Sequence, residues 1–115
     1  MERKILVATV GEIAIGRTKA FRFGPHAAIA FNDQGVLKAY VNRCTHMGGP
    51  VELKRNKAGQ EIFRCRWHEA EFAPGTGEAI EGEAPQGTRL TPIELIEEAG
   101  AFYAIFRLTD DEFNF

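Results

Sequence analysis

Hydrophobic and polar residues alternate along most of this chain, and turns rather than helical stripes interrupt the pattern. Lys4-Ile5-Leu6-Val7-Ala8-Thr9-Val10 reads as a strand. Residues 19–23 alternate strictly, with Phe21 and Phe23 on one face and Arg22 on the other, until Gly24-Pro25 stops the run. Residues 27–31 and 36–42 flank Asn32-Asp33-Gln34-Gly35, which predicts a hairpin. Further strands are expected at 61–64, 90–97 and 101–108, the last two joined by Glu98-Ala99-Gly100. Phe102, Ala104, Phe106 and Leu108 share one face of the final strand. Asn56-Lys57-Ala58-Gly59, Pro74-Gly75-Thr76-Gly77 and Ala84-Pro85-Gln86-Gly87 are turn and loop punctuation. No window sustains a capped i, i+3, i+4, i+7 stripe. Seven or eight short strands predict an all-β fold, an antiparallel β-sandwich or barrel. Asp110-Asp111-Glu112 is expected to be a frayed end.

The 115 residues have room for one domain, expected to be residues 1–115 as a single unit. The apolar fraction of 44% is that of a soluble globular protein. The longest apolar run is too short to span a membrane. The first residues, MERKILVATVGEI, carry neither a long apolar core nor a cleavage site, so a cytoplasmic setting with reduced thiols is expected. Net charge is −2, from 14 Lys and Arg against 16 Asp and Glu, the wrong sign for a nucleic-acid backbone. That charge is uneven: residues 1–67 carry 12 cations and 5 anions, residues 68–115 carry 2 and 11. Both sets read first as solvated strand edges and turns. A polarised surface steering a charged partner is the functional alternative.

The chain has two cysteines and three histidines, and four of these five form a pattern. Cys44-Thr45-His46 is followed after 18 residues by Cys65-Arg66-Trp67-His68. In extended backbone, residues two apart point to one side, so Cys44 and His46 can face one centre. In a tight turn a C-x-x-H knuckle does the same for Cys65 and His68. The intervening residues hold a turn and a strand, enough to return the chain beside its start. Several readings share this pattern. Two structural cysteines and two surface histidines would have to cluster by coincidence. A Cys44–Cys65 disulfide leaves the histidines unexplained and suits a reducing compartment badly. A tetrahedral Cys₂His₂ zinc is chemically reasonable, although such sites usually place both cysteines on one knuckle. Here each segment is mixed, which fits a binuclear centre whose one iron takes both thiolates and the other both imidazoles.

With its flanks, this pattern resembles the Rieske [2Fe-2S] family. The resemblance rests on Cys44-Thr45-His46-Met47-Gly48-Gly49-Pro50 and Cys65-Arg66-Trp67-His68, with Arg43 before the first ligand and Phe72 and Gly77 downstream. It runs from about residue 39 to 85 and is similar to Rieske ferredoxins and to the Rieske domains of ring-hydroxylating oxygenases. Arg66 and Glu69 stand where relatives usually carry Pro and Gly, which places charge beside the site. The resemblance implies a Rieske-like β-sandwich with a small cluster-binding subdomain formed by two loops, at about residues 43–85. It implies one [2Fe-2S] cluster on Cys44, His46, Cys65 and His68. The expected role is that of an electron-transfer protein rather than an enzyme, a soluble monomer carrying electrons from a flavoprotein reductase to a terminal oxygenase. Once the cluster takes two histidines only His26 remains, too few for a mononuclear oxygenase iron, and no Gly-rich phosphate loop is present. The alternatives are a small subunit of a larger redox enzyme, like that of an assimilatory nitrite reductase, and a zinc-stapled interaction module. Trp67 and Met47 are expected to pack against the loops, and His26 to lie in a surface loop.

Neutral imidazoles in place of two thiolates take the oxidised cluster from −2 to zero, which eases addition of an electron. High-potential relatives carry a serine two residues and a tyrosine four residues after the last histidine, and a disulfide joining the loops. Here the first two positions are Ala70 and Phe72, and the disulfide positions are Gly49 and Trp67. The resemblance therefore implies the low end of the range, about −150 mV. The oxidised irons acidify the second N–H of His46 and His68, so reduction takes up a proton once those groups have lost theirs. The midpoint potential should therefore fall with rising pH in the alkaline range, by up to about 59 mV per pH unit for one proton per electron. Voltammetry from neutral to strongly alkaline pH checks this, and a flat potential would count against exposed histidine ligands.

Overall fold

The computed structural model describes residues 2–42, 50–55, 59–65, 71–81 and 89–107. Its strands are β1 (Glu2–Thr9), β2 (Thr18–Phe23), β3 (His26–Asp33), β4 (Val36–Val41), β5 (Val51–Arg55), β6 (Glu61–Cys65), β7 (Glu71–Phe72), β8 (Ala79–Glu81), β9 (Leu95–Glu98) and β10 (Ala101–Arg107). All pairings are antiparallel, so the all-β expectation holds. Among the described residues no helix is long and apolar enough to cross a membrane. The chain divides into two compact units, one formed by Met1–Val41 with Pro92–Asn114 and the other by Asn42–Thr91.

The first unit holds two three-stranded sheets, ordered β1-β10-β9 and β2-β3-β4. Their turns follow from local chemistry. Gln34 and Gly35 join β3 to β4 with φ of 54° and 99°, two left-handed residues in succession. That geometry matches the twist of a tight hairpin. Asn32 supports it by accepting the Gly35 amide on Oδ1 at 2.7 Å and donating from Nδ2 to the Ile13 carbonyl. Ala99 and Gly100, at 51° and 81°, build the β9–β10 turn the same way. Between β1 and β2, Glu12 accepts from the Thr9 amide and from Lys19. The Lys19 ammonium, and then the Thr9 amide, hold its carboxyl below the ordinary value of 4.5.

The core of this unit lies where the two sheets face each other. Phe23 at the end of β2 and Phe106 in β10 meet edge to face, with ring centroids 5.1 Å apart. Ala28, Ala30, Val41 and Ala104 are buried on the same strand faces as these rings, whereas Ile29, Phe31, Tyr40 and Ile105 are buried on the opposite faces. Burial on β2 follows the alternation expected there, whereas Ala104, Ile105 and Phe106 are buried in succession, so β10 is covered on both faces. The strand expected at 90–97 is shorter than its apolar pattern. Pro92 has no N–H to continue a ladder, and an isolated bridge to Tyr40 with single bonds from Leu90 N to Gly77 O, Ile93 N to Ala39 O and Ile105 N to Glu94 O hold this stretch in place of a ladder before β9 begins at Leu95. His26 opens β3 opposite Phe23 and is half-buried, not a loop residue as expected. Leu108 and the acidic tail lie outside the described residues.

The second unit is a four-stranded sheet ordered β5-β6-β7-β8. Beyond β7 the chain turns through residues 73–78, where Gly77 N bonds to Ala73 O at 2.7 Å and Ala73 N to Glu78 O at 2.9 Å. Gly77 O accepts from Leu90 N, and Arg89 donates to Thr76 O, which ties the returning chain to this turn.

Gly24 is the tightest glycine of the first unit. Its φ is 61°, and a Cβ there would stand 2.3 Å from Cε2 of Phe106. Gly24→Ala therefore combines a left-handed side chain with a clash against a packed ring. It should destabilise the fold by about 3 kcal/mol. A thermal melt checks it, and an unchanged Tm contradicts it.

Candidate metal centre

The two motif segments both belong to the second unit, and the described residues fix where each leaves and rejoins its sheet. β6 ends at Cys65, whose antiparallel partner is Val51, the first residue of β5. The first segment precedes Val51 and the second follows Cys65. Both are therefore attached to the same end of the β5–β6 hairpin, where opposed Cα atoms are about 5 Å apart. Asn42 closes the first segment at its base, accepting the Val51 amide on Oδ1 at 2.8 Å. Arg64 and Glu71, partners across β6 and β7, close the second. The described residues that flank 43–49 and 66–70 thus come together at one end of one sheet.

Side chains on a strand alternate between faces, and paired residues share a face. By this register Val51, Phe63, Cys65 and Phe72 lie on one face of the sheet, and Phe63, Cys65 and Phe72 are completely buried. Arg64 and Glu71 lie on the other face with Ile62. Cys65 is thus presented by the last residue of a strand, with its side chain on an apolar wall; the turn expected from the C-x-x-H spacing lies outside the described residues. A buried sulfur donor at the junction of two Cys/His segments suits a soft metal. A [2Fe-2S] group fits the donor chemistry, because the remaining donors, Cys44, His46 and His68, are two imidazoles and a second sulfur.

Those three residues lie outside the described residues, as do Arg43, Met47, Gly48, Gly49, Arg66, Trp67, Glu69 and Ala70. Among the described residues, no group of three or more His, Cys, Asp or Glu side chains is placed to hold a metal. Phe72, the position without a hydroxyl, is described. It sits opposite Phe63, on the face that carries Cys65.

One feature at the site escaped the sequence reading. Arg64 Nη2 donates to Glu71 Oε2 at 3.0 Å, with side-chain exposures of 31% and 14%. Arg64 Nε and Glu71 Oε1 are buried and unmatched. This differs from the surface pairs of the protein, such as Lys54–Glu52 at 49% and 45% exposure, which contribute about 1 kcal/mol at most. The signal was present as opposite charges directly before Cys65 and three residues after His68. It became meaningful only once β6 and β7 were known to pair.

Comparison with known proteins agrees with this geometry. The family model of the Rieske [2Fe-2S] domain matches residues 3–105. No curated protein sequence matches the chain. The fold is similar to that of the quaternary ammonium Rieske monooxygenase CntA, with TM-score 0.72 and 19% identity over 88% of this chain and 30% of that one. It is also similar to the ferredoxin of carbazole 1,9a-dioxygenase from Nocardioides aromaticivorans IC177, with TM-score 0.69 and 16% identity over 90% of this chain and 98% of that one. A carbazole-bound complex of oxygenase and ferredoxin of carbazole 1,9a-dioxygenase matches with TM-score 0.70 and 16% identity, over 90% of this chain and 27% of the other. The chain thus spans under a third of the oxygenase chains it resembles and nearly all of the ferredoxin. With a family model covering most of its length and both motif segments starting from one sheet end, the chain belongs to the Rieske [2Fe-2S] domain family, an electron-transfer module built around one such cluster.

Proposed function

We propose that this protein is a Rieske-type ferredoxin, a carrier that takes electrons from a flavoprotein reductase and delivers them to a terminal oxygenase. The observation that carries the reading is the Val51–Cys65 register, which starts both Cys/His segments at one sheet end with the Cys65 thiol buried there. In this assignment Cys44 and Cys65 hold one iron, and His46 and His68 hold the other. When bound, the cluster accepts and releases one electron at a time. The protein's own contribution is positioning. Cys65 is fixed by β6, and Phe63 and Phe72 exclude water from its side of the sheet.

Beyond His46 and His68 these 115 residues contain only His26, which sits in β3 beside Phe23. They do not supply the two histidines and a carboxylate that an oxygenase iron requires. The likeness to nearly the whole of a carbazole dioxygenase ferredoxin supports the carrier reading, and the known complex of that system supports an oxygenase as partner. The second reading is a Rieske component held within a larger redox enzyme. It is supported by the same fold occurring as 30% of the CntA chain. Sedimentation separates the two, since a carrier runs as a monomer and a detached component associates through its uncovered face.

Iron, acid-labile sulfide and EPR analysis of anaerobically purified protein tests the assignment. Two irons and two sulfides per chain are expected, with Rieske-type EPR after reduction, and Cys65→Ser should lose the metal while the first unit stays folded. Protein with zinc or without labile sulfide refutes the reading. Phe72→Tyr should raise the midpoint potential by about 40 mV, the equivalent of a hydrogen bond favouring the reduced state by about 1 kcal/mol. An unchanged potential would place Phe72 out of reach of the cluster sulfurs.

A further inference from the structure

The Arg64–Glu71 pair occupies an unusual place. Among the described residues it is the β6–β7 pair nearest residues 66–70. Arg64 adjoins Cys65 in sequence, yet the register puts its side chain on the opposite face of the sheet from the thiol. The pair therefore cannot act by hydrogen-bonding the Cys65 sulfur. Whatever it does for that residue passes through the backbone.

Its chemistry is also poorly suited to general stabilisation. An ion pair built for stability satisfies both charged groups, ideally as a two-bonded fork. Here a single bond joins Nη2 to Oε2, and Nε and Oε1 are buried and unmatched. Partly burying two charges with incomplete hydrogen bonding gives little or no net gain over apolar residues of the same size. What such a pair does supply is directional: it is satisfied in one alignment of two strands and badly unsatisfied in a shifted one. β7 is only two residues long, so few backbone bonds hold that alignment on their own.

We propose that Arg64 and Glu71 are positioning residues that lock β7 onto β6 and so fix the strand end from which Cys65 is presented to the cluster. The inference rests on the assignment of Cys65 and His68 as ligands. In the cluster-free protein the clamp keeps β6 and β7 paired next to Cys65. In the loaded protein it slows release of the cluster from that strand end.

The test compares wild type with Arg64→Gln, Glu71→Gln and the exchanged double variant Arg64→Glu/Glu71→Arg. Loss of visible absorbance in excess chelator gives the rate of cluster release, voltammetry gives the potential, and a thermal melt of the cluster-free protein reports the fold. Each single variant should release its cluster about fivefold faster, and the exchanged pair should recover most of that loss. A role limited to local charge predicts potentials shifted up in Glu71→Gln and down in Arg64→Gln, with unchanged release. A role limited to general stability predicts lowered melts in the singles with release faster only in proportion. Either outcome overturns the clamp, as does an exchanged variant that releases as fast as the singles. Wild-type protein without iron and sulfide would instead sink the ligand assignment, so the two failures are distinguishable.

Discussion

The pairing of Val51 with Cys65 is the constraint on which the site depends. A β-hairpin can be read in two registers one residue apart, and the choice decides which side chains enter the core. In the register found here Cys65, Phe63 and Val51 fall on one buried face, and both Cys/His segments begin at the same end. A slip by one residue would turn Cys65 to the face of Arg64 and Ile62 and separate the starting points of the two segments. The burial of Phe63, Ile62 and Phe72 opposes that slip, because every alternative exposes an aromatic ring or inserts a charge into the core.

The second unit therefore separates two tasks by face. The apolar face carries Cys65, completely buried with Phe63 and Phe72. The other face carries the Arg64–Glu71 ion pair, whose arginine adjoins Cys65 along β6. This division suits an electron carrier. Low reorganisation requires fixed ligands, and fixed ligands on a short sheet need a lock at the edge that does not compete for the metal. The first unit contributes a sandwich whose strands are longer and whose turns are set by left-handed residues such as Gln34, Gly35, Ala99 and Gly100.

Much of this was legible in the amino-acid order, and the exceptions have physical causes. β1, β2, β3, β4, β6 and β10 appear close to where their apolar runs and bounding turn residues put them, although only β2 alternates in burial and β3 and β10 are buried over consecutive residues. β7 and β8, at two and three residues, are shorter than any periodicity can reveal. β5 does alternate, Val51 and Leu53 against Glu52 and Lys54, but its charges and the preceding Gly48-Gly49-Pro50 hid it among loop residues. The stretch before β9 misled because its pattern is apolar while Pro92 denies it a ladder. At the site, spacing alone singled out Cys44, His46, Cys65 and His68. It could not show that Cys65 belongs to a strand, nor that Arg64 and Glu71 face each other, because both facts depend on which strands pair.

The hairpin that presents Cys65 has a second end. From the Val51–Cys65 pair to the Arg55–Glu61 pair it extends by four residue steps, about 14 Å along the strand. The Arg55–Glu61 end is thus separated from Cys65 by the whole length of the hairpin. A fluorophore or surface tether attached at that end would be held away from the buried cysteine by the same distance.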